Sequence, residues 1–163
     1  LSSENKKYTS EKDEGAYLMQ AISSYLPHKV GIFESSLRDN ILFQFDDNNC
    51  KNQLIDKQIM FWLENLDLIN LLDSNDNLNT NLSLSKNFIS SGEIQRIGLI
   101  RSFIKNNPIE IYDEPTSHLD FAMTKKISEI LIERSKDRIV IVTSHDSFLI
   151  NKAKQTINIK DLC

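Results

Sequence analysis

Ile109-Glu110-Ile111-Tyr112-Asp113-Glu114-Pro115-Thr116-Ser117 is the stretch from which the fold of this chain can be read. Residues Ile109 to Tyr112 have the length and β-branching of a buried strand, and the run ends on two adjacent carboxylates followed by proline. Working outward, Gly92 to Lys105 predicts a helix before this strand and Phe121 to Arg134 a helix after it. Arg138 to Thr143, with its Ile-Val-Ile-Val core, predicts a second buried strand, and Thr156 to Ile159 a last short one. Helices alternating with strands at this spacing imply right-handed βαβ crossovers, so the expected class is α/β with a mostly parallel sheet. Ligands of such sheets gather at the carboxyl ends of the strands, which is where Asp113 and Glu114 would lie.

Toward the amino terminus the pattern changes. Ala16 to Leu26 predicts a helical turn and then an extended segment, because Pro27 biases residue 26 away from the α region. Ser35 to Ile41 carries serine at a cap position with aspartate three residues on, a helix start. From Gln53 to Leu72, Leu54, Ile55, Ile59, Trp62, Leu63, Leu66, Ile69 and Leu72 recur at helical spacing, which predicts one or two amphipathic helices with Trp62 in the core. Asp46 to Asn52 and Asp73 to Lys86 are polar and predict connectors, and Leu1 to Glu14 has no period and predicts a flexible leader. Sixteen asparagines against four glycines predict that asparagine does much of the turn work glycine usually does.

The 163 residues, 40% hydrophobic and 26% charged, suit one domain with one core and exclude a disordered tail as the main content. Nineteen Lys and Arg against 23 Asp and Glu give a net charge of -4, which argues against a general polyanion-binding surface. Any phosphate binding must be local, and no nucleic-acid partner is expected. Two cysteines, Cys50 and Cys163, make no disulfide framework, so a reducing, cytosolic setting is the expectation. No apolar run approaches the roughly 18 to 20 residues of a membrane span. The chain starts at Leu1 rather than Met, which predicts a piece of something longer.

Three groups carry candidate chemistry. Asp113 and Glu114 repel one another, so the pair makes most sense with a cation or a proton-transfer task beside it, although a solvated strand end fits the same residues. Ile89-Ser90-Ser91-Gly92-Glu93-Ile94-Gln95-Arg96 opens a helix, whose first N–H groups form an anion site by construction, and an ordinary cap fits equally. Ile141-Val142-Thr143-Ser144-His145-Asp146 delivers His145 at a strand end, as a site residue or as a structural histidine. All three fall on one edge of one sheet.

In this order, Ser-Ser-Gly-Glu-x-Gln-Arg, then Asp-Glu-Pro-Thr-Ser-x-Leu-Asp, then Ser-His-Asp resembles the nucleotide-binding domain of ATP-binding cassette (ABC) proteins, from about Tyr25 to Ile159. The resemblance implies a P-loop NTPase-like fold that hydrolyses ATP with Mg²⁺ to power export across a membrane. It makes Ile89 to Glu93 the signature loop, with Ser90, Ser91, Gly92 and Glu93 facing the γ-phosphate held by an opposite subunit. Asp113 would hold Mg²⁺ through water, and Glu114 would be the catalytic base or water-orienting carboxylate. Ser117, His118, Leu119 and Asp120 correspond to the D-loop, and His145 to the switch histidine on the γ-phosphate. Tyr25-Leu26-Pro27-His28, then Phe33 and Ser36 to Ile41, resembles the Q-loop region of exporter-type cassettes, with His28 where glutamine is expected. An imidazole there can ligate metal or orient water.

With the leader set at 1–15, the resemblance makes 16–163 a partial nucleotide-binding domain, with a helical subdomain over about 35–90 and a catalytic core part over about 91–163. Its partners would be a second nucleotide-binding domain, paired head to tail, and a transmembrane domain, placing the chain on the cytoplasmic side at the inner face of a membrane. Closure would pass to that transmembrane domain through the region around His28 to Phe45. Departures from the family pattern are Ile89 for Leu, Ser91 for Gly, Glu93 for Gln, the unusual His118, and the lack of a Gly-Glu-x-Gly run in Leu82 to Phe88.

A larger departure is that no G-x-x-x-x-G-K-[ST] occurs in the sequence. A phosphate cradle supplies several charge-assisted hydrogen bonds of roughly 1.5 to 3 kcal/mol each, so losing four removes at least ~6 kcal/mol. The chain by itself is therefore expected neither to bind ATP more tightly than ~100 μM nor to hydrolyse it. Either it is part of a normal exporter ATPase, or it is a P-loop-less paralogue acting as a non-catalytic partner. The full set Asp113, Glu114 and His145 favours the first, because a pure binding module has no use for a catalytic carboxylate. Chromosome-maintenance and DNA-repair ATPases with the same signature insert long coiled coils, for which Ile41 to Ile89 is too short.

Overall fold

The computed structural model describes residues 15–43, 53–73, 75, 78–82 and 89–158. The leader expected over 1–14, the Asp46 to Asn52 connector, Phe45, both cysteines and Ile159 lie outside these residues. Helix α1, described over residues 15–22, runs directly into strand β1, Ser23–Leu26. Then come α2 (Leu37–Leu42), α3 (Gln53–Asn65), a single 3-10 turn (Ile69–Leu71), α4 (Ser91–Lys105), β2 (Ile109–Asp113), α5 (Phe121–Arg134), β3 (Ile139–Thr143) and α6 (Ser147–Lys152). The strands form a parallel sheet in the order β1-β2-β3. The α/β class and the parallel sheet read from the sequence are what the chain adopts.

Register explains the core. Ser24, Glu110 and Val140 lie side by side, as do Leu26, Tyr112 and Val142, and these two rows make the inner face. Helix α4 packs on this face next to β1, bringing Ile97, Ile100 and Phe103 into one cluster with Leu26 and Tyr112. Gly98 permits the close approach: a Cβ there would sit 2.6 Å from Leu26 Cδ1 and 2.7 Å from Val30 Cγ2. No described glycine has positive φ; of the five described residues that do, Phe43, Asp67, Asn106, Glu114 and His118, only Asn106, closing α4 at φ 49°, is an asparagine, so the left-handed positions fall mostly to other residues than the sequence led one to expect.

The helical segment is closed by its own caps. Ser36 Oγ accepts from the Asp39 amide at 3.0 Å and starts α2. The buried Asn40 side chain accepts from Phe33 N at 2.8 Å and donates to Phe33 O at 3.0 Å, which fixes the preceding turn. Residues 78–82, expected as loop, fold back over this start: Leu37 N donates to Thr80 O, Leu82 N to Ser35 O, and Ser36 pairs with Asn81. Trp62 is half-buried and packs on Phe103 with ring centroids 4.6 Å apart. Arg101 of α4 joins the two regions, donating to Asn40 O at 2.6 Å and Gly31 O at 2.7 Å beneath the Phe43 ring. Burial pulls its guanidinium down to about 10, so it remains a cation at neutral pH.

Two expectations require correction. Strand β3 is not buried on both faces: Ile139 and Ile141 are 59% and 50% exposed, because nothing among the described residues covers the outer face of this edge strand. Residues 156–158 form no strand, and Ile157 is exposed. The helix α6 went unread. Asp146 caps it, accepting from Leu149 N at 2.9 Å. No described helix is long and apolar enough to cross a membrane.

Candidate functional site

The parallel topology puts the ends of β2 and β3 and the starts of α4 and α5 on one edge, since each helix runs back against the strands. At that edge Asp113 is the last residue of β2 and pairs in register with Thr143, the last of β3. Thr143 Oγ1 donates to Asp113 Oδ1 at 2.6 Å. The chain then turns sharply at Glu114, whose φ of 49° is a left-handed value rare for a residue with a side chain. Hydrogen bonds on both sides of the residue hold that turn. Glu114 N donates to Thr143 O at 3.1 Å, while Glu114 O accepts from Ser117 N at 3.1 Å and from the buried Gln95 side chain at 3.1 Å.

Glu114 Oε1 lies 3.6 Å from His145 Nε2, with the histidine fully exposed and the carboxylate mostly covered. The catalytic pair expected from the sequence is thus within one small adjustment of a hydrogen bond. Asp113 and Glu114 present hard oxygen donors, which suits Mg²⁺ and its habit of using one or two carboxylates with water and phosphate oxygens. Among the described residues no cluster of three or more His, Cys, Asp or Glu could hold a metal without such outside ligands. His28 is exposed on the segment after β1, at the same edge, and no hydrogen bond or ion pair joins it to Asp113 among the described residues.

At the start of α4 the serine-glycine stretch forms a complete capping box. Ser90 Oγ accepts from Glu93 N at 3.2 Å, and Glu93 Oε2 accepts from Ser90 N and Ser90 Oγ, both at 2.8 Å. Asn70 donates to the other Glu93 oxygen at 2.8 Å. Burial alone would raise the Glu93 carboxyl, but the bonds from Asn70 and Ser90 and the charge of Arg96 outweigh it and hold it below its usual 4.5. A negative charge therefore occupies the cap at neutral pH. The amides of Ser91 and Gly92, the first two of the helix, are the groups left for an incoming anion. Ser-x-x-Glu is the sequence form of this box, so the helix cap that the sequence offered beside the anion site is present.

Gly92 rests on the turn after β2: a Cβ there would be 3.0 Å from His118 O and 3.4 Å from Leu119 Cδ2. His118 itself is exposed with φ 62°. Asp120 is used as the α5 cap, accepting from Met123 N at 2.8 Å. Two buried polar atoms at this edge, Arg96 Nε and Ser117 Oγ, have no hydrogen-bond partner among the described residues. Thr143 and Gln95 are the contributors the sequence did not reveal, since only the strand register and the helix packing bring them to the acids.

The fold and sequence have known relatives. The chain is 30% identical over 121 residues to the glutathione/L-cysteine transport system ATP-binding/permease protein CydC of Bacillus subtilis (strain 168), covering 74% of this chain and 20% of that protein. It is 30% identical over 130 residues to the protein of the same name in Escherichia coli (strain K12), covering 80% and 21%. Against the ATP-dependent lipid A-core flippase of Escherichia coli (strain K12) the identity is 29% over 132 residues, covering 81% and 22%. The chain thus spans about a fifth of the length of these relatives. A bacterial Atm1-family ABC exporter solved with ATP bound shares the fold, with TM-score 0.63, 22% identity, and 81% of this chain and 22% of that one covered. The family model described as ABC transporter matches residues 3–117, well over half of the sequence, and the chain belongs to that family.

Proposed function

We propose that this chain forms the catalytic edge of an ATP-hydrolysing domain that drives export across a membrane, within a longer polypeptide or assembly that supplies the phosphate cradle. The observation that carries it is the Glu114 to His145 approach of 3.6 Å beside the Asp113 to Thr143 pair, on the edge where α4 begins. Glu114 would orient and polarise the attacking water, and His145 would meet the terminal phosphoryl group. The amides of Ser91 and Gly92, with Ser90 and Glu93 framing them, would face the same phosphoryl group of a second cassette bound head to tail. Asp113 would hold Mg²⁺ through water, and the ion supplies charge neutralisation on the phosphates when bound.

Catalysis in such a site is positioning and charge stabilisation. The orphaned Ser117 Oγ and Arg96 Nε support a partner at this edge, and Ser117 to Asp120 would meet it. The 27–43 segment, tied to α4 through Arg101, would pass closure toward a transmembrane domain at the inner face of a membrane, with His28 at the Q-loop position. Residues of about 35–90 would act as the helical subdomain and 91–163 as part of the catalytic core. The chain alone would be inactive, and its acidic charge of -4 supports a role without nucleic acid. In the complete polypeptide, Glu114→Gln should retain bound ATP and lose turnover by at least about a hundredfold, consistent with loss of a general base. Turnover at the parental rate would remove Glu114 from the mechanism.

A further inference from the structure

We propose that Thr143 is a positioning residue for the metal-holding carboxylate, its hydroxyl fixing the rotamer of Asp113. This rests on the assignment of Asp113 to Mg²⁺ made above. The last register pair of the sheet sets the two Cα atoms side by side, and both side chains emerge on the outer face. The hydroxyl has one proton and gives it to Asp113 Oδ1 at 2.6 Å, a short charge-assisted bond. The same oxygen accepts from Glu114 N at 3.3 Å, in addition to the main-chain bond from that amide to Thr143 O. One hydroxyl therefore bridges the side chain of the first acid and the backbone of the second.

The bridge matters because no other described side chain holds the Asp113 carboxylate. Among the described residues it forms no ion pair with Lys, Arg or His, and no other side chain donates to it. Without the hydroxyl the carboxylate would turn freely about its side-chain bonds. With it, Oδ1 is committed to Thr143 and Oδ2 remains for the water shell of the ion. Outer partners of this kind typically change metal affinity by about 10- to 100-fold, and the exposure of this pair places the effect at the lower end. Valine has the shape of threonine and lacks the proton, so it isolates the hydroxyl.

The experiment titrates Mn²⁺ into the complete polypeptide that carries this chain, with saturating ATP, and reads bound metal by electron paramagnetic resonance. Thr143→Val should weaken Mn²⁺ binding about three- to tenfold, Thr143→Ala should do the same without adding bulk, and Thr143→Ser should restore affinity to within about twofold. Asp113→Asn is the control on the underlying assignment and should abolish the signal of bound metal. If Asp113→Asn abolishes binding while Thr143→Val and Thr143→Ala match the parent, the Thr143 role is wrong and the metal assignment stands. Serine as weak as valine would also overturn the role, because the hydroxyl would not be the agent. Unchanged binding in Asp113→Asn would overturn the metal assignment and this inference with it.

Discussion

Replacing Glu110 with glutamine should destabilise the chain by about 3 to 5 kcal/mol. The side chain is fully buried on the inner face of β2, where it accepts from Arg134 Nε at 2.9 Å, from Arg134 Nη2, from Arg138 Nη1 at 3.2 Å and from the Tyr112 hydroxyl at 2.9 Å. The two guanidinium side chains are 11% and 12% exposed, so solvent screens them little. Burial, and then the neighbouring carboxylate, push the Tyr112 hydroxyl up, so it keeps its proton and donates. Glutamine keeps the length, removes the charge, and turns one oxygen that takes donors into an NH₂ facing them. Arg134, stacked 4.7 Å from the Phe103 centroid, then loses its carboxylate partner, while Arg138 keeps Asp137 at 2.8 Å and 3.0 Å. At about 2 to 4 °C per kcal/mol for a chain of this size, the melting temperature should fall by roughly 6 to 20 °C. Thermal and urea unfolding followed by circular dichroism measure it. A cycle with Arg134→Met should show the two substitutions costing about 2 kcal/mol less together than in sum. A loss below about 1 kcal/mol, or strict additivity in the cycle, would refute the reasoning that these charges hold each other in the core.

Gly98→Ala gains about 1 kcal/mol of helix propensity but sets a methyl 2.7 Å and 3.0 Å from the two Val30 methyls, an overpacking typically costing about 1 to 3 kcal/mol. Urea unfolding should show a net loss of about 1 kcal/mol, with Val30→Ala offsetting part of it in the double variant; a stabilised Gly98→Ala would contradict the packing. Glu93 is held below its usual 4.5, so its contribution is present above that pH and fades as pH falls through the lowered value. Melting curves from pH 7 to 3 should therefore show Glu93→Gln less stable than the parent at neutrality, with the gap closing below about pH 4.5. A gap independent of pH would mean the cap does not depend on the carboxylate charge.

Some of this architecture is legible in one sequence because short-range physics decides it. Phe121 to Arg134 is helical at the residues read from the pattern, since Asp120 caps it and the apolar period is unbroken. The helix starts at Ser36 and Ser90 were readable because a cap is a contact between residues three apart. Strand β3 was misread for a related reason: a continuous apolar run has no alternation, so it cannot say whether one face or two is covered. Ile139 and Ile141 lie on the outer face with the exposed Tyr25 and the partly buried Ile109 and Ile111, while Val140 and Val142 face the core. The Glu110 network and the Thr143 bond were out of reach altogether. Each joins segments brought together only by the sheet, from Arg134 and Arg138 to Glu110 across 24 and 28 positions, and from Thr143 to Asp113 across 30.

Glu114 shows what those long-range partners do at this edge of the sheet. A glutamate at φ 49° sits in a region that costs of order 1 kcal/mol, and such a residue persists only where its surroundings over-determine it. Here the peptide is held on both sides, by Thr143 on its N–H and by Gln95 and Ser117 on its C=O. The strained turn aims the carboxylate away from the strand direction and toward His145, which an extended residue continuing β2 would not do. Gln95 belongs to the helix whose first turn carries the amides of Ser91 and Gly92, and Gly92 rests on the carbonyl of His118 in the same turn. The first turn of α4 and the Glu114 carboxylate are therefore parts of one packed unit. Displacing α4 by even a fraction of an ångström must alter the contacts that keep Glu114 in its strained conformation.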